Sequence, residues 1–99
     1  MGIGDLSVAP VSVRPDGVKE RRVSLGEVDA RLVVFPPGFR EPSSCTKGHT
    51  GYLVAGHAHI RIGEDWRHVE AGAVLHLSPG VDHGLRTDQG CTLLLFDRP

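Results

Sequence analysis

The sequence predicts an all-β fold of the sandwich or barrel type. Glycine and proline punctuate the chain at close intervals, with 13 glycines and 7 prolines among 99 residues. Short runs of β-branched and apolar residues lie between turn signals about 8–12 residues apart, a spacing typical of such folds. No stretch of ten positions carries the 3.6-residue periodicity of an amphipathic helix. We therefore expect almost no helix.

The first half of the chain contains three predicted strands and one long loop. The turn Pro15-Asp16-Gly17 separates the first two strands, because proline presets φ and Asp-Gly tolerates positive φ. The second strand is mostly polar, as an edge strand would be. The third is β-branched and aromatic and ends at Pro36-Pro37-Gly38. The predicted strands are 8–13, 18–25 and 30–35, and the aperiodic segment 39–48 is a predicted loop.

The second half of the chain reads as a series of hairpins. The longest predicted strand alternates cleanly at its end, with Ala58, Ile60 and Ile62 on the buried face. This phase points His57 and His59 outward, to solvent or to a subunit interface. We expect Phe35, Phe39, Tyr52 and Trp66 to lie in the core or in a cavity wall. The predicted strands are 52–62, 66–69, 74–77, 83–86 and 92–96.

Length and charge restrict the classes of function. The 99 residues suffice for one domain, 1–99. The net charge of -1 gives no excess of positive charge for nucleic acid. No apolar run approaches the roughly 20 residues that span a membrane. The start of the chain does not resemble a signal peptide, so we expect a cytoplasmic protein with Cys45 and Cys91 unpaired.

Several glycines and histidines within residues 38–87 stand at defined spacings from one another. Six residues separate His49 from Gly56, and Gly72 precedes a Ser78-x-Gly80-x-x-His83 segment by five residues. These spacings resemble the two motifs of the cupins, here about 38–56 and 72–87. The resemblance implies a single-domain cupin β-barrel, a double-stranded β-helix of the jelly-roll type. It also implies a homodimer with two-fold symmetry.

The sequence departs from the family pattern at the positions of the metal ligands. Most cupins bind a divalent metal with three histidines and a glutamate. At the corresponding positions this chain has Ser43, Cys45 and His49, and only His83 is retained unchanged. The usual ligand set is therefore absent, and the site chemistry has to be inferred from the residues present.

The residues present suggest a different ligand set. Cys45 and His49 are four positions apart, which places both side chains on one face of an extended segment. Together with His83 they offer a thiolate and two imidazoles, a set that suits zinc with one open position and leaves nickel, copper, iron and manganese open. An empty pocket with mutually hydrogen-bonded side chains is the alternative. The further predicted cavity-lining residues are Ser43, Tyr52 and His76.

Two classes of function remain open. The first is a module that binds a divalent metal or a small polar metabolite in its cavity. The second is a metal-dependent enzyme, of isomerase or oxygenase type, that acts on a small molecule. Function depends on the site and not on the fold, so the catalytic residues, the substrate and the metal stay undetermined. We favour the binding module, because no second catalytic group stands out.

Overall fold

A computed structural model describes residues 2–42 and 45–98 of the chain. In this part the protein has nine strands, one 3₁₀ turn at Leu6–Val8 and no α-helix, which confirms the all-β prediction. The strands are β1 (Ser12–Val13), β2 (Lys19–Ser24), β3 (Asp29–Phe35), β4 (Phe39–Arg40), β5 (His49–Ile62), β6 (Asp65–Glu70), β7 (Val74–Leu77), β8 (His83–Thr87) and β9 (Cys91–Asp97).

Strand β5 joins the two halves of a curled antiparallel sheet. Residues 49–56 of β5 pair with β7 on one side and with β9 on the other, and β9 continues through β3 and β2 to β1. Residues 57–62 pair with β6 and β8, and β8 continues to β4. One long strand therefore contributes to both walls, which closes the sheet around an interior.

A bulge bends β5 where it passes from one half to the other. The register against β9 shifts between Leu53 and Ala55, and Gly56 follows with φ +80°. A Cβ at Gly56 would overlap the carbonyl oxygen of Gly90, so the close approach of the two backbones requires glycine here. The extra residue and the left-handed backbone turn the strand.

The core fills the interior between the two halves of the sheet. Alternation places one residue of every two inside, as the pattern of β9 shows with buried Cys91, Leu93 and Leu95. Leu53 is fully buried beside the bulge. The buried cluster consists of Val18, Val33, Phe35, Phe39, Leu53, Ala58, Ile60, Leu85, Cys91, Leu93 and Leu95.

The structure differs from two of the predicted elements. The predicted strand 8–13 is restricted to β1, because Val8 belongs to the 3₁₀ turn and residues 9–11 form no strand. The predicted loop 39–48 contains the short strand β4, which pairs with β8. Both cysteines are free. Among the described residues, no helix has the length and apolar character needed to cross a bilayer.

Candidate metal centre

A cavity of about 450 Å³ lies between the two halves of the sheet. Its floor is apolar, and its rim carries charged side chains together with the cysteine and histidines singled out above. The apolar lining consists of Val33, Phe35, Phe39, Ile60, Leu75, Leu77, Leu85, Leu93 and Leu95, and the polar lining includes Arg14, Asp16, Arg22, Arg31, Glu41, Cys45, Lys47, His49 and His83. The composition is that of a site for a small ligand.

Backbone hydrogen bonds hold Cys45 next to His83. The Cys45 amide donates to the His83 carbonyl at 3.0 Å, and the His83 amide donates to the Cys45 carbonyl at 2.9 Å. The two residues thus form an isolated antiparallel bridge. Residues that exchange both hydrogen bonds in such a bridge lie opposite each other with their side chains on the same face. The bridge therefore fixes the thiol beside the imidazole.

His49 approaches this pair from the start of β5. Its ring meets the His83 ring edge-on, with the ring centroids 5.3 Å apart. One ligand atom from each of Cys45, His49 and His83 lies within 4.8 Å of the other two. His83 is buried, and the other two side chains are half-buried. The structure thus brings the three residues together at the rim of the cavity.

Hydrogen bonds fix which nitrogen each imidazole presents to its neighbours. The His83 Nδ1 lies 3.1 Å from the Val81 carbonyl oxygen, which can only accept, so Nδ1 carries the proton. The His49 Nδ1 lies 2.7 Å from a carboxylate oxygen of Asp97 and donates to it in the same way. In both rings Nε2 is therefore left as the coordinating atom. Such hydrogen bonds to the second nitrogen are typical of metal-binding histidines.

Asp97 connects His49 to a half-buried ion pair. Its second carboxylate oxygen accepts from Nε of Arg31, which also contacts Glu20 at 3.1 Å. Burial opposes ionisation of Asp97, but the hydrogen bonds from His49 and Arg31 outweigh it and lower the pKa of the carboxyl below its ordinary value. The carboxylate thus stays ionised and keeps the His49 ring in one orientation.

Glu41 brings a second carboxyl to the cavity. It follows β4, and its backbone amide donates to the Leu85 carbonyl at 3.0 Å. Burial raises the pKa of Glu41, and the nearby charges of His83, Arg14 and Arg61 only partly oppose this. The sequence places Glu41 in an aperiodic segment, so its burial could not be anticipated. Glu41 thus places a carboxyl with a raised pKa in the lining of the cavity.

Two of the other residues predicted to line the cavity, Tyr52 and His76, lie outside it. Ser43 is outside the described residues. Tyr52 is exposed, because its neighbours Gly51 and Leu53 occupy the inner face of β5. His76 is exposed and lies 2.9 Å from the Thr50 hydroxyl, outside the central cavity. Leu75 and Leu77 line that cavity instead, which directs the residue between them outward.

The His57-x-His59 pair lies on the outer face of β5, as its phase predicts. Both rings contact His68 on β6, with centroid distances of 5.6 Å and 5.0 Å. Trp66 lies on the same outer face and is 45% exposed, so it lies neither in the core nor in the wall of the central cavity. It lies directly opposite Arg61, an outward residue, and therefore shares its face.

The geometry and the chemistry of the three donors fit a divalent metal. Zinc bonds of about 2.3 Å to sulfur and about 2.0 Å to nitrogen require the widest pair of ligand atoms to draw together by about 1 Å. A Cys-His-His set would supply three of the four ligands that zinc usually takes. Cys45, His49 and His83 are thus the residues that would hold the ion.

Comparison with known proteins identifies the fold. No family model matches the sequence, and no curated protein matches it either. Solved structures match closely over almost the whole chain. An RmlC-like cupin from Shewanella frigidimarina superposes with a TM-score of 0.81 and 20% identity, covering 97% of this chain and 88% of that one.

Two further structures give the same result. A cupin 2 conserved barrel domain protein from Salinispora arenicola has a TM-score of 0.75 and 18% identity, with 97% and 87% of the two chains covered. A sugar phosphate isomerase of the cupin superfamily from Silicibacter pomeroyi has a TM-score of 0.75 and 17% identity, with 96% and 74% covered. The prediction from the two motifs is confirmed: this chain has the cupin fold.

Proposed function

We propose that this protein binds a divalent metal ion, zinc in the first place, through Cys45, His49 and His83. The observation that carries the proposal is the approach of their ligand atoms to within 4.8 Å of one another at the rim of the cavity. A thiolate and two imidazoles suit zinc, while the apolar floor of the cavity leaves room for a small molecule beside the ion. The protein then acts as a binding or sensing module for the metal or for a small polar metabolite.

The position of Glu41 favours a second candidate function, that of a metal-dependent enzyme. It lines the same cavity as the proposed ligands, and its raised pKa suits a carboxyl that exchanges a proton with a bound molecule. A divalent ion at the proposed site would supply Lewis acidity toward an oxygen of that molecule. One of the structures with the same fold is a sugar phosphate isomerase, and a reaction of this type is consistent with an acid-base group beside a metal.

Metal content tests the proposal. The protein is purified without chelator, and bound metals are measured by elemental analysis. We expect about one metal per chain in the wild type and in the His57→Ala and His59→Ala variants, which change histidines of the outer face. His83→Ala should lose most of the metal. Loss of metal in the outer-face variants together with full retention in His83→Ala would contradict the proposal.

We also propose a two-fold dimer in the cytoplasm. The N-terminal segment exposes three valines, Val8, Val11 and Val13, and the last of these lies on the terminal strand β1. A second copy that packs against this segment would remove the apolar surface from water. The free thiols of Cys45 and Cys91 are in keeping with a reducing compartment.

A further inference from the structure

The outer face of the half formed by β4, β8, β5 and β6 carries a row of cationic side chains. Arg40 on β4 lies directly opposite Arg86 on β8. Like charges directly opposite each other destabilise an antiparallel pair. The repulsion between the two guanidinium groups therefore lowers the stability of the strand pair, and a bound anion would remove this repulsion.

The arginines of this row differ from those near the central cavity. Arg14, Arg22 and Arg31 each form a salt bridge with a carboxylate. Within residues 2–42 and 45–98, neither Arg40 nor Arg86 forms one. The Arg86 guanidinium instead lies over the ring of Trp66, 4.3 Å from its centroid.

A cleft of about 310 Å³ is lined by these two arginines together with Arg61 and Trp66. Gly84 lies directly opposite Arg61 and leaves the cleft open, since a Cβ there would stand 3.2 Å from the Arg61 guanidinium. Arg61 also contacts Asp82 at 3.0 Å, so its charge is shared. The cleft lining among the described residues is Arg40, Glu41, Pro42, Arg61, Trp66, Gly84, Leu85 and Arg86.

We propose that this cleft binds the phosphate group of a small phosphorylated ligand. Guanidinium groups match the oxygens of a phosphate with paired N–H donors. The two guanidiniums without a carboxylate partner, Arg40 and Arg86, balance the two negative charges of a phosphate monoester. Trp66 offers an apolar wall to the rest of the ligand, while Glu41 contributes a single opposing charge at the edge.

The cleft shares Glu41, Pro42, Gly84 and Leu85 with the lining of the central cavity but includes none of the three proposed metal ligands. Successive residues of β8 point to opposite faces, so Gly84 and Arg86 face the cleft while the His83 side chain faces the interior. Phosphate binding at the cleft therefore does not depend on the metal proposed for the cavity, and each of the two proposals can fail without the other.

Fluorescence of Trp66 tests the proposal, because it is the only tryptophan of the chain. The full-length protein is titrated with inorganic phosphate and with glycerol phosphate, and sodium chloride at matched ionic strength serves as the reference. We expect a saturable change with both phosphates and none with chloride, because the anion draws the Arg86 guanidinium away from the ring. Calorimetric titration with glycerol phosphate gives a second readout that does not rely on the ring.

Matched variants complete the test. Arg40→Gln and Arg86→Gln should each weaken phosphate binding by about 10-fold to 100-fold, because each removes a charge-assisted contact. Arg98→Gln, which makes the same change outside the cleft, should bind as the wild type does. The absence of saturable heat and fluorescence change in the wild type would overturn the proposal. Equal weakening by Arg98→Gln, or binding of polyanions such as heparin alone, would overturn it too.

Discussion

Asp97→Asn is the substitution that most sharply probes how the fold orients the proposed metal ligands. In the wild type one carboxylate accepts from His49 Nδ1 at 2.7 Å and, with its other oxygen, from Arg31. An asparagine has the same shape but only one acceptor oxygen. Its amide group must therefore face either His49 or Arg31, donor against donor. The variant either releases the His49 ring or leaves the Arg31 guanidinium without this partner.

The expected magnitudes follow from these contacts. The lost hydrogen bond involves charged groups and side chains that are only about 17% exposed, which corresponds to a loss of about 1.5–3 kcal/mol in the free energy of unfolding. Loss of the hydrogen bond that orients a metal-binding histidine weakens metal affinity by about 10-fold to 100-fold. Denaturant unfolding of the metal-free protein measures the first effect, and competition with a zinc chelator measures the second.

Asp29→Asn is the matched control. Asp29 lies directly opposite Asp97 on β3, with a similarly buried side chain, but its ion pair is with Arg22 at 3.6 Å. We expect zinc affinity in this variant to stay within about twofold of the wild type, since the residue does not contact His49. Equal zinc affinity of the Asp97→Asn variant and the wild type would refute the role assigned to Asp97.

Three other changes have defined outcomes. Glu41→Gln should raise the free energy of unfolding at neutral pH, because burial raises the pKa of Glu41 and the stability of the wild type falls as the pH rises through that pKa. The gain in stability should vanish at pH values below the ordinary pKa of 4.5. A gain that persists in acid would contradict this prediction. Gly56→Ala should lower the free energy of unfolding by about 2–4 kcal/mol, because alanine is strained at positive φ and its Cβ would overlap the Gly90 carbonyl oxygen. A loss under about 0.5 kcal/mol would contradict that prediction. Sedimentation should find a dimer in the wild type and a weaker one in a variant with Val11→Ser and Val13→Ser, whereas a monomeric wild type at micromolar concentration would contradict the dimer.

The two faces of β5 and the position of His83 could be predicted from the sequence segments around each of them. The alternation of Ala58 and Ile60 with His57 and His59 is enough to assign the two faces of β5, because side chains alternate strictly along a strand. The spacing after Gly72 singles out His83 through its resemblance to the second cupin motif. These inferences need no knowledge of which strands pair.

The partners of the site could not be predicted, because non-local pairing supplies them. Asp97 reaches His49 across 48 residues of sequence, through the pairing of β9 with β5. One local signal does exist: Asp97 continues the inward phase of Leu93 and Leu95, which places a carboxylate on an inner face. The burial of Glu41 depends on the pairing of β4 with β8, since its segment has no periodicity of its own.

X-ray absorption at the zinc edge of the zinc-loaded protein tests the central claim most directly. The Cys45, His49 and His83 assignment predicts one sulfur at about 2.3 Å and nitrogen or oxygen ligands at about 2.0–2.1 Å. The sulfur contribution should disappear in Cys45→Ser and persist in Cys91→Ser, which changes the other, buried thiol. A coordination shell without sulfur in the wild type, or a protein that takes up no zinc, would contradict the claim.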